Sequence, residues 1–421
     1  MHRAVLLTLG RLPKGLELAR CLHRAGWSVY VADPFATHLS MPSRAVKRSF
    51  RVAAPNHDLD RFNSDILSII EQYGITHVAP VSEEALYVAR LADRFPPSVT
   101  LLTAPFDALI RVHDKLTFIE TARSAGLPAP ETHVASSAAA AALARRADYV
   151  VKPRLGCSGM GLRFGAAGAP LAAAETSPAT IVQERVRGRE LSSLSFVREG
   201  AVLGGVLYEG RVFAGTVATN FARVDDAPAV EAWIAAFTAR TGWTGFIAFD
   251  FIADDDGGVW PIECNPRLTS GVHFFDHDDL AAAIAGDRRD GDGGGIKLKP
   301  QGQFQEGHTT LVKVYEAMFR PRLFARRLGQ MLAARDVLWS WRDPAPFLLM
   351  TPASWPILAE VIFKGAAFGE AATRDIEWRP PQATGPGGIA GAVSGAIPGT
   401  APAAGAVRVS ENSFTAHETA V

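Results

Sequence analysis

Residues 245–267 read GFIAFDFIADDDGGVWPIECNPR, and the interpretation of the whole chain starts from this stretch. Two apolar segments flank the acidic turn ADDDGG, which predicts an antiparallel pair of strands. Such a hairpin brings Asp250 close to Glu263. Because alternate side chains of a strand share a face, Glu263, Asn265 and Arg267 point the same way.

These side chains share a chemistry. Two carboxylates and a carboxamide on neighbouring strands provide the oxygen ligands that hard divalent cations prefer. An arginine beside them suits a phosphate whose charge grows in a transition state. A surface hairpin explains the acidic residues 254–256, but it explains poorly why Glu263 and Asn265 interrupt an otherwise apolar strand. The pattern therefore favours a divalent-cation site.

A second motif lies upstream, where the apolar segment ending at Lys152 runs into the loop PRLGCSGMG at 153–161. A lysine at a strand end neutralises phosphate oxygens. Glycines let backbone N–H groups approach an anion closely, and Ser158 adds a further donor. A glycine-rich hairpin loop without a ligand explains the same pattern, so this motif alone decides nothing.

A third motif is IVQERVRGRE at 181–190. Gln183, Glu184 and Val186 follow a strand pattern and are placed to offer backbone groups to an adenine edge. Glu190 is placed to accept hydrogen bonds from ribose hydroxyls. Taken alone, this segment is equally typical of a charged strand end.

In this order, the three motifs resemble the ATP-grasp superfamily. The likeness runs from Lys115 to Arg267 and, with the strand–helix region before it, covers about residues 1–290. Its most specific part is IECNPR at 262–267, which is similar to the Ile-Glu-x-Asn-x-Arg signature of the family.

The resemblance implies that ATP is held between two α+β subdomains. The residues implied to bind the nucleotide are Lys115, Lys152, Gly156, Ser158, Gly159, Gln183, Glu184, Val186 and Glu190. The residues implied to hold Mg²⁺, with two ions expected and Mn²⁺ compatible, are Asp250, Glu263 and Asn265. Arg267 is implied to be the catalytic residue. Asp250 stands where glutamate is more usual, and its shorter side chain would reach a metal at a different distance or through water.

The same resemblance implies an ATP-dependent carboxylate–amine ligase. A substrate carboxylate attacks the γ-phosphate, and the acyl phosphate then reacts with an amine or amino acid, releasing ADP and phosphate. The segment DVLWSWRDPAPFL at 336–348 distantly resembles mycosporine-glycine synthase, an ATP-grasp enzyme that activates an enol, which widens the acceptor to an enol. Two alternatives stay open: a small-molecule kinase on the same fold and a non-catalytic nucleotide-binding protein.

The first third of the chain alternates strands and helices, which predicts a parallel sheet with helices on both faces. Its first turn, GRLPKG at 10–15, lacks both the P-loop and the GxGxxG pattern. We therefore expect an α/β and α+β protein. The expected domains are a Rossmann-like domain at 1–110, an ATP-grasp small subdomain at 111–182, a second subdomain with the metal site at 183–295, a helical extension at 296–380 and a disordered tail at 381–421.

Composition narrows the class of protein. Lys plus Arg and Asp plus Glu both number 43 in 421 residues, and a net charge of zero argues against a protein that coats nucleic acid. Three cysteines without CxxC spacing argue against a disulfide framework and a structural zinc site. No cleavable signal is expected at the start, and a reducing cytoplasm fits best.

Two segments allow alternatives. Residues 344–369 are rich in apolar side chains but include Pro352, Pro356, Glu360 and Lys364, so they predict a buried helix, or less favourably a helix on a membrane surface. His273 and His277 lie among acidic residues just after Arg267. They fit either a metal cluster or, more often, a solvated loop that touches substrate.

Overall fold

The computed structural model describes residues 3–156, 161–287 and 295–380. The predicted phosphate-loop residues Ser158 and Gly159 lie outside the described residues, as does the expected tail at 381–421.

The first sheet is parallel and has five strands in the order β3-β2-β1-β4-β5. Its strands are β1 (Ala4–Leu7), β2 (Ser28–Asp33), β3 (Val46–Arg51), β4 (His77–Ala79) and β5 (Thr100–Leu101). Its helices are α1 (Pro13–Arg24), α2 (Leu59–Tyr73), α3 (Ala85–Leu91) and α4 (Phe106–His113). Leu6 packs into one hydrophobic core and Val5 and Leu7 into another, because helices cover both faces.

The predicted parallel sheet is thus confirmed. It also contains an edge strand, β3, that the sequence analysis did not predict. The sequence of β3, VKRSFR, is basic and lacks the apolar run that marks a buried strand. The turn at 10–15 leads directly into α1, with Pro13 at the first helical position.

The second sheet has four strands in the order β6-β9-β7-β8, and all pairs are antiparallel. The strands are β6 (Thr132–Val134), β7 (Tyr149–Pro153), β8 (Arg163–Gly165) and β9 (Thr180–Glu184). The helices nearby in sequence are α5 (Lys115–Ser124) and α6 (Ala138–Arg146). The helix α5 starts where the Asp114 side chain accepts a hydrogen bond from the Leu116 N–H.

The third sheet has seven strands in the order β14-β13-β10-β11-β12-β15-β16. Its strands are β10 (Arg189–Arg198), β11 (Ala201–Ala214), β12 (Val217–Val224), β13 (Gly245–Ala253), β14 (Val259–Asn265), β15 (Gln303–Gln305) and β16 (Arg335–Asp336). The helices α7 (Pro228–Thr241) and α8 (His277–Ala285) follow β12 and β14. Trp233 and Phe237 of α7 pack on Phe249, so this sheet buries one face through aromatic contacts.

The last part of the described chain is helical but belongs partly to this sheet. Its helices are α9 (Gly307–Glu316), α10 (Pro321–Ala333), α11 (Ala345–Leu348), α12 (Met350–Ala353), α13 (Trp355–Lys364) and α14 (Phe368–Thr373). The strands β15 and β16 add to the sheet edge, β15 antiparallel to β12 and β16 parallel to β15.

The expectation of one buried helix over 344–369 is wrong. The segment forms three short helices and the start of a fourth, because Pro346, Pro352 and Pro356 each lie in the first turn of a new helix. Ile357 is buried, but large apolar side chains such as Phe363 are exposed. Among the described residues, no helix is both long and apolar enough to cross a membrane.

The chain then returns to the first sheet. The buried Arg11 guanidinium donates to Asp33 (Nε–Oδ1 3.0 Å) and to Asp375 (Nη1–Oδ1 2.8 Å). The Tyr87 hydroxyl donates to the Glu377 carbonyl at 3.0 Å. The Trp378 ring packs against Tyr87, with 4.7 Å between ring centroids. The residues after α14 therefore complete the core of the N-terminal region.

Candidate active site

The hairpin of β13 and β14 places Asp250 directly opposite Glu263, as the sequence predicts. The strand β14 ends at Asn265, before Pro266, and the Cys264 side chain between the two polar residues is buried on the other face. The register between β13 and β14 shifts directly after Asp250, as at a β-bulge. Two carboxylates from neighbouring strands therefore face the same space.

The pKa of Asp250 is strongly shifted by its surroundings. Burial, and then the negative charge of Glu263, raises the pKa of Asp250 to about 7. The Ser192 hydroxyl donates to Asp250 Oδ1 at 2.7 Å, and Asn265 Nδ2 donates to Oδ2 at 3.1 Å. Mutual repulsion of two partly buried carboxylates is what a divalent cation relieves, so this donor set fits Mg²⁺.

A metal ion bound here would neutralise phosphate charge beside Arg267. Carboxylate oxygens of Asp250 and Glu263 are the ligands that the geometry offers, with the Asn265 carboxamide between Asp250 and Arg267. Across the part of the chain that the structure describes, no group of three or more His, Cys, Asp and Glu side chains is arranged to hold a metal. The fit therefore rests on two carboxylates and one carboxamide.

Arg267 is held from two sides. Its Nη2 donates to Asn265 Oδ1 at 2.9 Å and forms an ion pair with Glu83, which follows β4 in the N-terminal sheet. Burial alone raises the pKa of Glu83, but the charges of Arg267, His113 and Lys14 outweigh it and hold that pKa at about 2. An ionised, buried Glu83 therefore fixes the orientation of the guanidinium.

The two predicted lysines also converge on this hairpin. Lys115 Nζ lies 3.3 Å from Glu263 Oε1 and donates to the Gly156 carbonyl at 2.8 Å. Lys152 Nζ donates to the Ile262 carbonyl at 2.7 Å, across the gap between the second and third sheets. Burial lowers the pKa of Lys152 to about 8, although the Glu263 carboxylate opposes the shift. Two buried ammonium groups at one carboxylate indicate an anion-binding site.

The predicted adenine contacts lie on β9 and the segment after it. Gln183 is buried inside the second sheet, where its Nε2 donates to the Thr132 hydroxyl at 2.9 Å. The N–H of Glu184, at the end of β9, donates to the Glu131 carbonyl at 2.8 Å, and Val186 lies in the connection to β10. These positions border the junction between the second and third sheets.

Glu190 lies near the predicted metal ligands. It pairs with Ile252 on β13, two residues before Ser192 on β10, and its charge contributes to the raised pKa of Asp250. The exposed Glu190 side chain is therefore on the same face of the sheet as the two carboxylates. Gly156 has a φ of +120°, a conformation that favours glycine, and its carbonyl is the acceptor for Lys115.

Sequence reasoning missed a group of N-terminal side chains that contact this site. Lys14, on α1, donates from Nζ to the Leu268 carbonyl at 2.9 Å and to the Ser82 hydroxyl at 3.1 Å. The turn after β1 and the segment Ser82–Glu84 after β4 lie at the carboxyl ends of adjacent strands, where the order of the sheet reverses. Ligands of doubly wound sheets bind at that point, and this was the available signal.

His273 and His277 do not form a metal cluster with the acidic residues around them. His277 Nε2 lies 2.7 Å from Glu17 Oε1, and His273 Nδ1 lies 3.4 Å from Glu17 Oε2. Burial raises the pKa of Glu17, but Lys299 and the two histidines hold it well below its usual value. The histidines therefore join α1 to the segment after β14.

Comparisons with known proteins agree with this fold. Residues 112–271 match the family model of the ATP-grasp domain. No curated protein sequence is significantly similar to the chain.

Solved structures share the fold at low sequence identity. The biotin carboxylase domain of 2-oxoglutarate carboxylase from Hydrogenobacter thermophilus, in complex with MgADP, ADP and bicarbonate, has a TM-score of 0.57 and 14% identity. It covers 71% of this chain and 73% of its own. N5-carboxyaminoimidazole synthetase from Staphylococcus aureus, complexed with ADP, has a TM-score of 0.53 and 14% identity, covering 71% of this chain and 80% of its own.

An L-amino acid ligase from Bacillus licheniformis is similar to the same extent, with a TM-score of 0.53 and 14% identity over 68% of this chain and 74% of that one. All three likenesses concern the fold. The expected likeness to mycosporine-glycine synthase is tested by none of them and stays a prediction. The fold, the hairpin signature and the family match agree: residues 112–271 of this chain are an ATP-grasp domain.

Proposed function

We propose that this protein is an ATP-dependent ligase that phosphorylates a small-molecule carboxylate or enol and joins it to an amine or amino acid, releasing ADP and phosphate. The observation that carries the proposal is the position of Arg267. It is locked by Asn265 and Glu83 beside the Asp250–Glu263 pair, and two buried lysines face the same carboxylates.

Each of these groups has a distinct role. Lys115 and Lys152 bind the phosphates of ATP, and Asp250, Glu263 and Asn265 hold Mg²⁺, with two ions expected. Glu190 and the backbone of Glu184 and Val186 border the nucleoside. Such a site needs little acid–base chemistry, because positioning and charge neutralisation dominate phosphoryl transfer.

Arg267 stabilises the charge that grows on the transferred phosphoryl group. A planar guanidinium can hold two phosphate oxygens, and here one of its edges is already fixed by Glu83 and Asn265. A donor that is oriented before the reaction costs no reorganisation during it. Glu83 is accordingly a positioning residue.

The acid substrate binds in the crevice at the carboxyl ends of β1 and β4. Lys14 and Ser82 line the carboxyl ends of these strands, and Leu268 connects the crevice to Arg267 through its contact with Lys14. The Lys14 ammonium group at this point favours an anionic acceptor, a carboxylate or an enolate. The mycosporine-glycine synthase likeness supports the enol, and an L-amino acid ligase among proteins of this fold supports an amino acid as the amine. A cytoplasmic location, where ATP is abundant, fits this reaction.

A paired assay of ADP and product, with and without amine, tests the proposal on the wild-type chain and on Arg267→Lys. The ligase predicts ADP and coupled product in equal amounts only when acid and amine are both present. Arg267→Lys should keep ATP binding but slow turnover by about 10²-fold, the effect of removing one preorganised donor.

Two results would overturn this function. A phosphorylated product that accumulates without any amine would make the protein a kinase. Failure to bind ATP and Mg²⁺ at all, in the chain with its lysines intact, would leave a non-catalytic fold.

A further inference from the structure

Large apolar side chains are exposed mainly in one part of the molecule. Of the eighteen exposed large apolar residues in the described chain, thirteen lie between 311 and 368. They are Leu311, Val312, Tyr315, Met318, Phe319, Leu332, Trp341, Leu348, Leu349, Trp355, Ile362, Phe363 and Phe368. Single exposed apolar residues are normal, but a concentration of them marks an interaction site.

The connection between α9 and α10 presents the most exposed of these side chains. Phe319 is 88% exposed; Met318 directly precedes it, and Tyr315 lies about one turn before it. Residues 317–335 contain five arginines and no acidic residue, and no residue of α10 is buried. A helix that combines apolar side chains with arginines in this way is typical of a segment lying on a membrane surface.

A second group of aromatic residues lies further along the chain and contacts the start of α9. The Trp339 ring lies 5.0 Å from Trp341 and 5.2 Å from Phe347, between ring centroids. Phe347 in turn lies 5.8 Å from His308 at the start of α9. Trp341 is 83% exposed, and the exposed Arg342 follows it. Aromatic contacts therefore link α9 to the segment 339–349.

We propose that the exposed apolar residues of 311–349, together with the arginines of 320–342, dock on the surface of an anionic phospholipid bilayer. This surface is called the arginine–aromatic face below. Its tryptophan and phenylalanine side chains enter the boundary between headgroups and acyl chains, and its arginines lie against the phosphate groups.

Charge decides between this occupant and a second copy of the chain. Residues 311–349 contain six arginines and one lysine against three acidic residues, so a twofold contact through the face would bring two surfaces of the same net positive charge together. An anionic bilayer is complementary to both features of the face. The net charge of the whole chain is zero, so only the arginine–aromatic face attracts the bilayer, and the molecule binds with that face toward the membrane.

Sedimentation of the full chain with vesicles tests the proposal. The probes are vesicles of phosphatidylcholine alone and of phosphatidylcholine with phosphatidylglycerol. We expect binding to the anionic vesicles, weak binding to the neutral ones, and loss of binding as the salt concentration rises. Arg320→Gln with Arg322→Gln should weaken partitioning by roughly fivefold for each arginine. Phe319→Ser with Trp341→Ser should weaken it by about tenfold or more.

Matched variants elsewhere on the surface serve as controls. Arg145→Gln removes an exposed arginine from α6, and Met41→Ser removes an exposed apolar side chain of the N-terminal region. Neither should change vesicle binding. All variants should keep the wild-type melting temperature, which separates lost docking from lost folding.

Three results would overturn the proposal. The first is equal sedimentation with neutral and anionic vesicles. The second is unchanged binding by the double variants. The third is a dimer in solution that Phe319→Ser with Trp341→Ser dissociates, in a chain that does not bind vesicles, since the face would then contact a second copy.

Discussion

Two regions of the molecule differ in which side chains they expose to water. One is the hairpin of β13 and β14, and the other is the group of helices after β15. At the open end of the hairpin, the charged groups of the proposed site are largely withdrawn from water, and Arg267 is held by Asn265 and Glu83. In the helices, aromatic side chains such as Phe319 and Trp341 remain largely exposed to water. The first arrangement is preorganised for a small, charged ligand, and the second is suited to an extended surface.

The two regions should differ most in how much a substitution changes the free energy of unfolding. A buried, paired charge costs several kcal/mol when its partner is removed, whereas an exposed apolar side chain contributes almost nothing to stability. The substitutions below are ordered by this expected effect.

Glu263→Gln should have the largest effect, a loss of ATP turnover of at least about 10²-fold. The carboxylate is a proposed metal ligand and also the counter-charge for Lys115, and an amide replaces neither function. Steady-state ADP release measures the change. Asp255→Asn, an exposed acidic residue in the turn of the same hairpin, should leave the rate unchanged. Equal rates for the two variants would contradict the metal site.

Glu83→Gln should destabilise the fold by about 3 kcal/mol at pH 7, because it leaves the Arg267 charge without its partner. The pKa of Glu83 in the folded chain, about 2, lies below the ordinary value of 4.5, so its ionised form stabilises the fold. That stabilisation is complete above pH 5 and is lost as the pH falls from about 4.5 to 2. Wild type and variant should therefore converge in acid.

Urea denaturation at several pH values measures this difference. Glu71→Gln, at an exposed position on α2, is the matched control and should parallel the wild type throughout. A constant gap between Glu83→Gln and the wild type down to pH 2 would mean that the ion pair is not its source.

Glu306→Gln should stabilise the fold by about 1 kcal/mol above pH 7. Burial, and then the charge of Asp336, raises the pKa of Glu306 to about 7. The folded state therefore keeps a proton that the unfolded state has lost, and stability falls as the pH rises from about 4.5 to 7. Glutamine removes this penalty, so the variant should melt higher at pH 8 and like the wild type at pH 4. Glu120→Gln, exposed on α5, should match the wild type at both.

Phe363→Ser should have the smallest effect, within about 0.5 kcal/mol of the wild type. Its side chain is 75% exposed at the end of α13. Ile357→Ala, two turns earlier on the same helix and almost fully buried, should cost about 2 to 4 kcal/mol. Thermal unfolding of both variants measures the contrast, and a large loss for Phe363→Ser would show that the exposed ring is needed for the fold.

The sequence predicts the hairpin well because its information is local. One pair of strands contains the alternation around Asp250, the turn after it and the IECNPR segment. Asp250 pairs with Glu263 as expected. The contacts of Arg267 with Glu83 were missed, since they join positions 184 residues apart that only the assembled sheets bring together.

The extension was predicted least well, for a different reason. Apolar residues at helical spacing look the same whether they face a core or water, so the burial of Ile357 and the exposure of Phe363 are not distinguishable from sequence. The strands β15 and β16 are three and two residues long and carry polar side chains apart from Phe304, and their pairing depends on β12 rather than on a strand-like pattern of their own.

The docking of Trp378 between Tyr87 and Phe106 has a consequence for how the chain is made. A ribosome releases β1 to β5 long before Trp378, by a delay on the order of tens of seconds at ordinary rates of synthesis. During that time Tyr87 and Phe106 lack Trp378, and the Arg11 guanidinium has Asp33 but lacks Asp375. The packing of Tyr87 and Phe106 is therefore completed only when the segment after α14 has emerged, so the last step of folding in the N-terminal region depends on the far end of the described chain.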